Sequence, residues 1–194
     1  MPTEADLRRQ RFDFCPWFFP HEATEAERAE QLEYQALLGR VYGTQVGEGS
    51  FISTAAAISG PSDLVFTIGR KGFVAGGSYI TDSVTLGDNC SVNPYVTLRG
   101  KLTAGDGVRI GAYTCMVGFN HGFDRIDIPI YEQPHVSKGI ILGDDVWVGA
   151  HVTVLDGVRV GSHTILAAGA IVTKDVPDYA IVGGNPARVL RMRK

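Results

Sequence analysis

Residues 142 to 173 read LGDDVWVGAHVTVLDGVRVGSHTILAAGAIVT, and the spacing within that stretch decides the fold. Leu142, Val148, Val154, Val160, Leu166 and Val172 recur every six residues without a miss. The same step runs through Ile68, Val74, Ile80, Leu86, Val92, Leu98, Ala104, Ile110 and Met116, and through an earlier stub, Val46, Ile52 and Ile58. The residue four places on is mostly small or β-branched, as at Ser78, Val84, Cys90, Val96, Val108, Thr114, Val146, Val152, Val158, Thr164 and Ala170. Side chains alternate along a strand, so these two positions share a face. Directly after the aliphatic there is often a Gly, Asn or Ala, for example Gly69, Gly87, Asn93, Gly105, Gly149 and Ala167. We read those as supplying the unusual backbone angles of a corner. A short strand and a corner every six residues winds rather than reverses, whereas ordinary sheet domains place turns every 8–12 residues. The expected fold is an all-β solenoid, a parallel β-helix of hexapeptide repeats with one column of aliphatic side chains as its core.

Composition agrees with a globular chain of one domain. The 194 residues are 44% hydrophobic and 20% charged, with 24 glycines and a net charge of −3. That balance argues against a protein that coats nucleic acid, which carries a basic surplus. Cys15, Cys90 and Cys115 show no Cys-x-x-Cys spacing, so a disulfide framework or thiolate metal site is not expected. The beginning MPTEADLRRQ lacks the apolar core of a signal peptide, and FDFCPWFFP at 12–20 is broken by Asp13 and two prolines. We therefore expect a cytoplasmic protein without a membrane span.

Three segments flank or interrupt the repeats. Residues 24–39 read as a helix opened by a Thr24-x-x-Glu27 capping box, with Leu32, Ala36 and Leu37 at helical spacing and Gly39 at its end. The six-step register slips by a small insertion around Pro61, between Ile58 and Ile68. It is lost over VGFNHGFDRIDIPIYEQPHVSKG, residues 117–139, which a solenoid accommodates only as an extruded loop, often on its binding face. The chain thus divides into an N-terminal helical segment (1–42), a β-helix domain carrying the loop (43–183) and a C-terminal tail (184–194).

The repeats and the closing stretch VGSHTILAAGAIVTKDVPDYAIVGGNPARVLR resemble the hexapeptide-repeat acyltransferase family, O-acetyltransferase branch, from Val46 to the C-terminus. The resemblance implies a left-handed β-helix, acetyl-CoA as co-substrate, no metal, and a homotrimer with active sites between subunits. It implies that His121, in Asn120-His121-Gly122 at the start of the loop, is the catalytic base for a sugar-like hydroxyl acceptor. Imidazole suits that task, with an ordinary pKa of about 6.5. Asn120, Asp124 and Tyr131 are then candidate substrate contacts. Trp147, Ala150, Ala168, Thr173, Lys174, Arg188 and Arg191 match family positions that meet the coenzyme. At Ala150 only a backbone contact carries over, because the galactoside branch has serine there. That branch also uses an Asn at a coil corner where Ala75 stands here, which argues against a simple maltose-type sugar, while Asn120-His121 followed by Asp124 and Pro129-Ile130 resembles members that acetylate polysaccharide precursors, nucleotide-linked sugars or antibiotics.

The remaining histidines read differently. His151 and His163 fall at equivalent outward places of the repeat and His21 lies in the N-terminal segment, whereas His135 shares the loop and is a candidate for touching substrate. Two other classes compete. A γ-type carbonic anhydrase needs converging histidines in a Gly-His-x-x-x-x-His pattern that is absent. A non-catalytic scaffold would have no reason to combine the His121 loop with Lys174 and Arg188.

Overall fold

The computed structural model describes residues 1–60 and 65–194. The expected insertion around Pro61 falls largely on residues 61–64, outside that set. From Gln45 onward the chain forms a three-faced parallel β-solenoid of about seven turns, the form expected of a left-handed β-helix. Short strands such as Thr67–Ile68, Phe73–Val74 and Tyr79–Thr81 take the three faces in turn, and each pairs with the strand one coil on. Ile68 lies opposite Leu86, Leu86 opposite Ala104, and Ala104 opposite Leu142, so the 117–139 insertion leaves the ladder unbroken. Every hexad aliphatic from Ile68 to Val172 is buried, and so are the residues four places on except Asn120, where the loop leaves the coil. The stack is the core.

The corners correct one expectation. Left-handed backbone angles fall three residues after most of the core aliphatics, as at Lys71, Asn89, Tyr95, Tyr113, Asp145, His151 and His163, whose φ values run from 52° to 61°. The glycines directly after the aliphatics serve clearance between coils. A Cβ on Gly111 would lie 2.6 Å from the backbone N of Ala150, and one on Gly47 2.4 Å from the carbonyl carbon of Gly69. No side chain fits where two coils approach so closely. The same corners carry a second ladder, in which Asp88, Asp106 and Asp144 each accept an N–H from the preceding coil, that of Arg70, Asp88 and Asp106 respectively, at 2.7–2.8 Å.

The N-terminal segment closes one end of the coil stack. It contains α1 (Glu4–Phe14), α2 (Phe19–Glu22) and α3 (Glu25–Tyr42). The capping box at Thr24 and Glu27 forms as expected, but α3 runs past Gly39 to a cap at Gly43, whose φ of 68° suits glycine. The buried face also differs from the expected one: Leu32 and Leu37 are exposed, while Gln31 and Leu38 are buried. The cause is the unpaired ladder edge of the first coil. Gln31 donates to the Ile52 carbonyl at 3.1 Å and accepts from the Ile52 N–H at 2.6 Å, and Gln35 donates to the Ser50 carbonyl at 2.8 Å. Amide side chains satisfy an open strand edge where leucines would strand it. The aromatic residues of the segment dock on the first coil, with Phe12, Phe19 and Phe51 buried together. At the other end, Arg188–Met192 turns back antiparallel on Ala180–Gly183.

Candidate active site

The loop leaves the coil after Gly118 and rejoins it at Ile140 as a folded excursion with its own tethers. Asp156, one coil on, accepts from the backbone N–H groups of Lys138 and Gly139 and from Asn120 Nδ2, the last at 3.3 Å. Ser137 Oγ donates to the Gly118 carbonyl at 2.6 Å. Within the loop Gln133 is buried, donating to the Arg125 carbonyl at 2.8 Å and accepting from its N–H at 3.1 Å.

These tethers hold a two-stranded hairpin, Asn120–His121 against His135–Val136, that sets the two histidines opposite each other. His135 Nε2 lies 3.1 Å from His121 Nδ1, with the rings edge to face at 4.4 Å between centroids. His121 is exposed. In a neutral pair one nitrogen donates and the other accepts. When His121 Nδ1–H is the donor, His121 Nε2 keeps its lone pair and points its basicity away from the partner, the arrangement a general base requires. Sequence reasoning treated His135 as a substrate contact and missed this pairing, which no local motif signals, because it depends on hairpin register across 14 positions.

The other candidates fall into separate places. Asn120 is spent on Asp156, and Asp124 and Tyr131 stand exposed on the loop. Thr173 and Lys174 follow Val172 at the same edge of the prism as the loop, two coils further on. Trp147 is exposed on a second face, while Ala150 and Ala168 occupy the corners beyond it. Arg188 and Arg191 lie on the returning C-terminal strand of that second face. Among the described residues, Lys174, Arg188 and Arg191 form no ion pair and so have charge to offer an anion. Ala75 is buried. His151 stacks on Tyr113 at 4.9 Å, and Tyr113 on Tyr95 at 5.0 Å, along the corner that holds Ala150. His163 accompanies Asp145, whose carboxyl is held below the usual range by hydrogen bonds from His163 and Arg193. Burial pushes the thiols of Cys90 and Cys115 up, away from thiolate character.

A cavity of about 690 Å³ opens beside the hairpin, lined by Asp82, Arg99, Lys101, Phe119, His135 and Ser137 among others. No group of three His, Cys, Asp or Glu side chains among the described residues could hold a metal ion. No helix among them is long and apolar enough to cross a membrane.

Comparison with known proteins agrees with this fold. The model for Bacterial transferase hexapeptide (six repeats) matches residues 139–174. Galactoside O-acetyltransferase of Escherichia coli (strain K12) is 30% identical over 173 residues, covering 88% of this chain and 74% of that protein. The chain belongs to the hexapeptide-repeat acyltransferase family. A relative from Mycobacterium tuberculosis (strain ATCC 25618 / H37Rv), described as a probable acetyltransferase, is 33% identical over 113 residues. That match covers 58% of this chain and 36% of the relative, so the chain spans only about a third of it. Among solved structures, the N-acyltransferase AntD of Bacillus cereus, in complex with dTDP and 3-hydroxybutyryl-CoA, superposes with a TM-score of 0.71 at 20% identity. It covers 83% of this chain and 88% of its own, a likeness of fold. A 2,3,4,5-tetrahydropyridine-2,6-dicarboxylate N-acetyltransferase of Staphylococcus aureus (strain MRSA252) is 43% identical over 89 residues, so the chain is similar to enzymes named for transfer to oxygen and to nitrogen.

Proposed function

We propose that this chain is an acetyl-CoA-dependent O-acetyltransferase whose acceptor is a hydroxyl of a sugar or polysaccharide precursor. The observation that carries the reading is the His121–His135 pair, held in register on a tethered hairpin at the edge that also presents Lys174. His121 Nε2 takes the proton of the acceptor hydroxyl as its oxygen attacks the thioester carbonyl. His135 accepts from Nδ1–H and supports the imidazolium that forms. When the tetrahedral intermediate collapses, His121 returns the proton to the departing thiolate, leaving the acetyl ester and coenzyme A. General-base catalysis of this kind supplies about 10²–10⁴-fold in rate.

Lys174, Arg188 and Arg191 supply charge for the coenzyme's phosphates, with Trp147, Ala150, Ala168 and Thr173 along the remainder of its path. Because these residues divide between two edges of one prism, a neighbouring subunit of a homotrimer brings the second set to the first. An amine acceptor is the second reading, favoured by the fold shared with AntD. The same base serves both.

The test is thiol release from acetyl-CoA across a panel of sugars, nucleotide sugars and aminoglycoside antibiotics, with ester and amide products told apart by hydroxylamine sensitivity. We expect ester formation, and we expect Lys174→Ala and Arg188→Ala to raise KM for acetyl-CoA while sparing kcat. No transfer to any acceptor, or a pure kcat defect in both variants, would overturn the assignment.

A further inference from the structure

We propose that the cavity beside the hairpin is an acceptor subsite for an anionic group, a carboxylate or a phosphate, recognised by Arg99 and Lys101. The inference deepens the reading above and rests on it.

Arg99 is the unusual residue. It follows Leu98 at the coil edge where the adjoining coil has Val117, and strand register places the two opposite each other. Its guanidinium lies 5.3 Å from the Phe119 ring and 5.8 Å from the Tyr79 ring, so two aromatic faces fix it. Nε is buried and has no hydrogen-bond partner among the described residues, and Arg99 forms no ion pair there. A desolvated guanidinium N–H without an acceptor is unfavourable to keep, and native chains rarely leave one unpaired. An anion entering the cavity would complete it.

The rest of the lining points the same way. Lys101 forms no ion pair among the described residues and runs its stem past Gly139, where a Cβ would lie 3.1 Å from its Cγ. Ser137 also lines the wall, its hydroxyl proton already donated to the Gly118 carbonyl. The one carboxylate there, Asp82, accepts the Gly100 N–H at 3.0 Å, so part of its capacity is spent on backbone. Formal charge in the cavity is therefore +1 with His135 neutral. Position matters too. Along this edge Lys174 lies on one side of the loop and Arg99 on the other, with His121 between them. An acceptor held by Arg99 would meet a thioester arriving from the Lys174 side at the histidine pair.

The test is a binding titration that needs no turnover. The protein is titrated with glucose, glucuronate and glucose 1-phosphate while the His135 imidazole signals are followed by ¹H–¹⁵N NMR. Saturable shifts with the phosphate or the uronate, at least tenfold stronger than with glucose, are expected, and comparing the two arms tells which anion fits. Arg99→Gln and Lys101→Ala should each weaken that binding at least tenfold, whereas Arg99→Lys should retain part of it. Circular dichroism checks folding, and Lys101→Ala, altered at an exposed residue, guards against a misfolded Arg99 variant. Equal response to glucose and the anions, or anion binding unchanged in folded Arg99→Gln, would overturn the subsite. Anion binding without acetyl transfer to any acceptor would keep the subsite and defeat the catalytic reading instead.

Discussion

Gly111→Ala should destabilise the solenoid and disturb the coenzyme side together. The added Cβ would lie 2.6 Å from both Ala150 N and Gly149 C and 2.9 Å from Gly149 O. Carbon atoms pack at about 3.5–4.0 Å, so the shortfall is about 1 Å. All three neighbours are backbone atoms and cannot rotate aside. The coils must part, straining the Gly111 N–H bond to the Val148 carbonyl, 2.8 Å long, and the Asn93 bonds to the Ile110 carbonyl. Overpacking of this kind costs about 1–3 kcal/mol. With only backbone in contact we expect the upper half of that range, a Tm lower by about 5–10 °C for a chain of this length. Gly169→Ala is the control, since a Cβ there meets nothing within 4 Å although φ is 74°. It carries only the left-handed penalty, about 1 kcal/mol. Differential scanning calorimetry of both variants decides. A Gly111→Ala Tm within 2 °C of the parent, or a larger drop in Gly169→Ala, would refute the clearance argument. Displacement of Ala150 N should also raise KM for acetyl-CoA in Gly111→Ala.

His135→Phe keeps the ring but removes the acceptor for His121 Nδ1–H, and we expect kcat to fall about 10–100-fold, the usual effect of losing an orienting partner. His135→Gln, whose Oε1 can accept, should recover part of it and restore the parent pH profile, whereas a merely structural role would show no such rescue. Glu27 is held at about 2 by its hydrogen bonds from Arg8, both 2.9 Å long. A depressed carboxylate stabilises fully above its unfolded pKa, so docking of α1 on α3 should weaken as pH falls from about 4.5 towards 2. Trp17 fluorescence in a Trp147→Phe background reads this, and an identical acid titration in Glu27→Gln would contradict it. Light scattering should give about three times the 20.9 kDa chain mass, and a fully active monomer would reject the shared site.

The solenoid was legible because its core repeats: each coil buries the same kind of side chain at the same step, so sequence period becomes spatial column. Misreadings came where an element meets something that does not repeat. The glycines after Ile68 and Ile110 look like turn residues in one coil and prove to be contact points between two. Leu32 and Leu37 imply an apolar face for α3, but the surface it covers is a row of backbone groups, so Gln31 and Gln35 turn inward. The site divides the same way. His121 was reachable through the loop and a family resemblance. His135 became its partner only through hairpin register, Asp156 its tether through coil stacking, and Arg99 a candidate acceptor group through the aromatic rings beside it.

The central claim is that His121 removes the acceptor proton. Its most direct test is steady-state acetyl transfer by His121→Ala, with folding verified by circular dichroism and coenzyme affinity by titration. The variant alters an exposed loop side chain outside the aliphatic stack. Unchanged melting, unchanged coenzyme binding and a loss of turnover of at least tenfold are expected, within the roughly 10²–10⁴-fold typical of a lost general base. Near-normal turnover in the folded variant would contradict it.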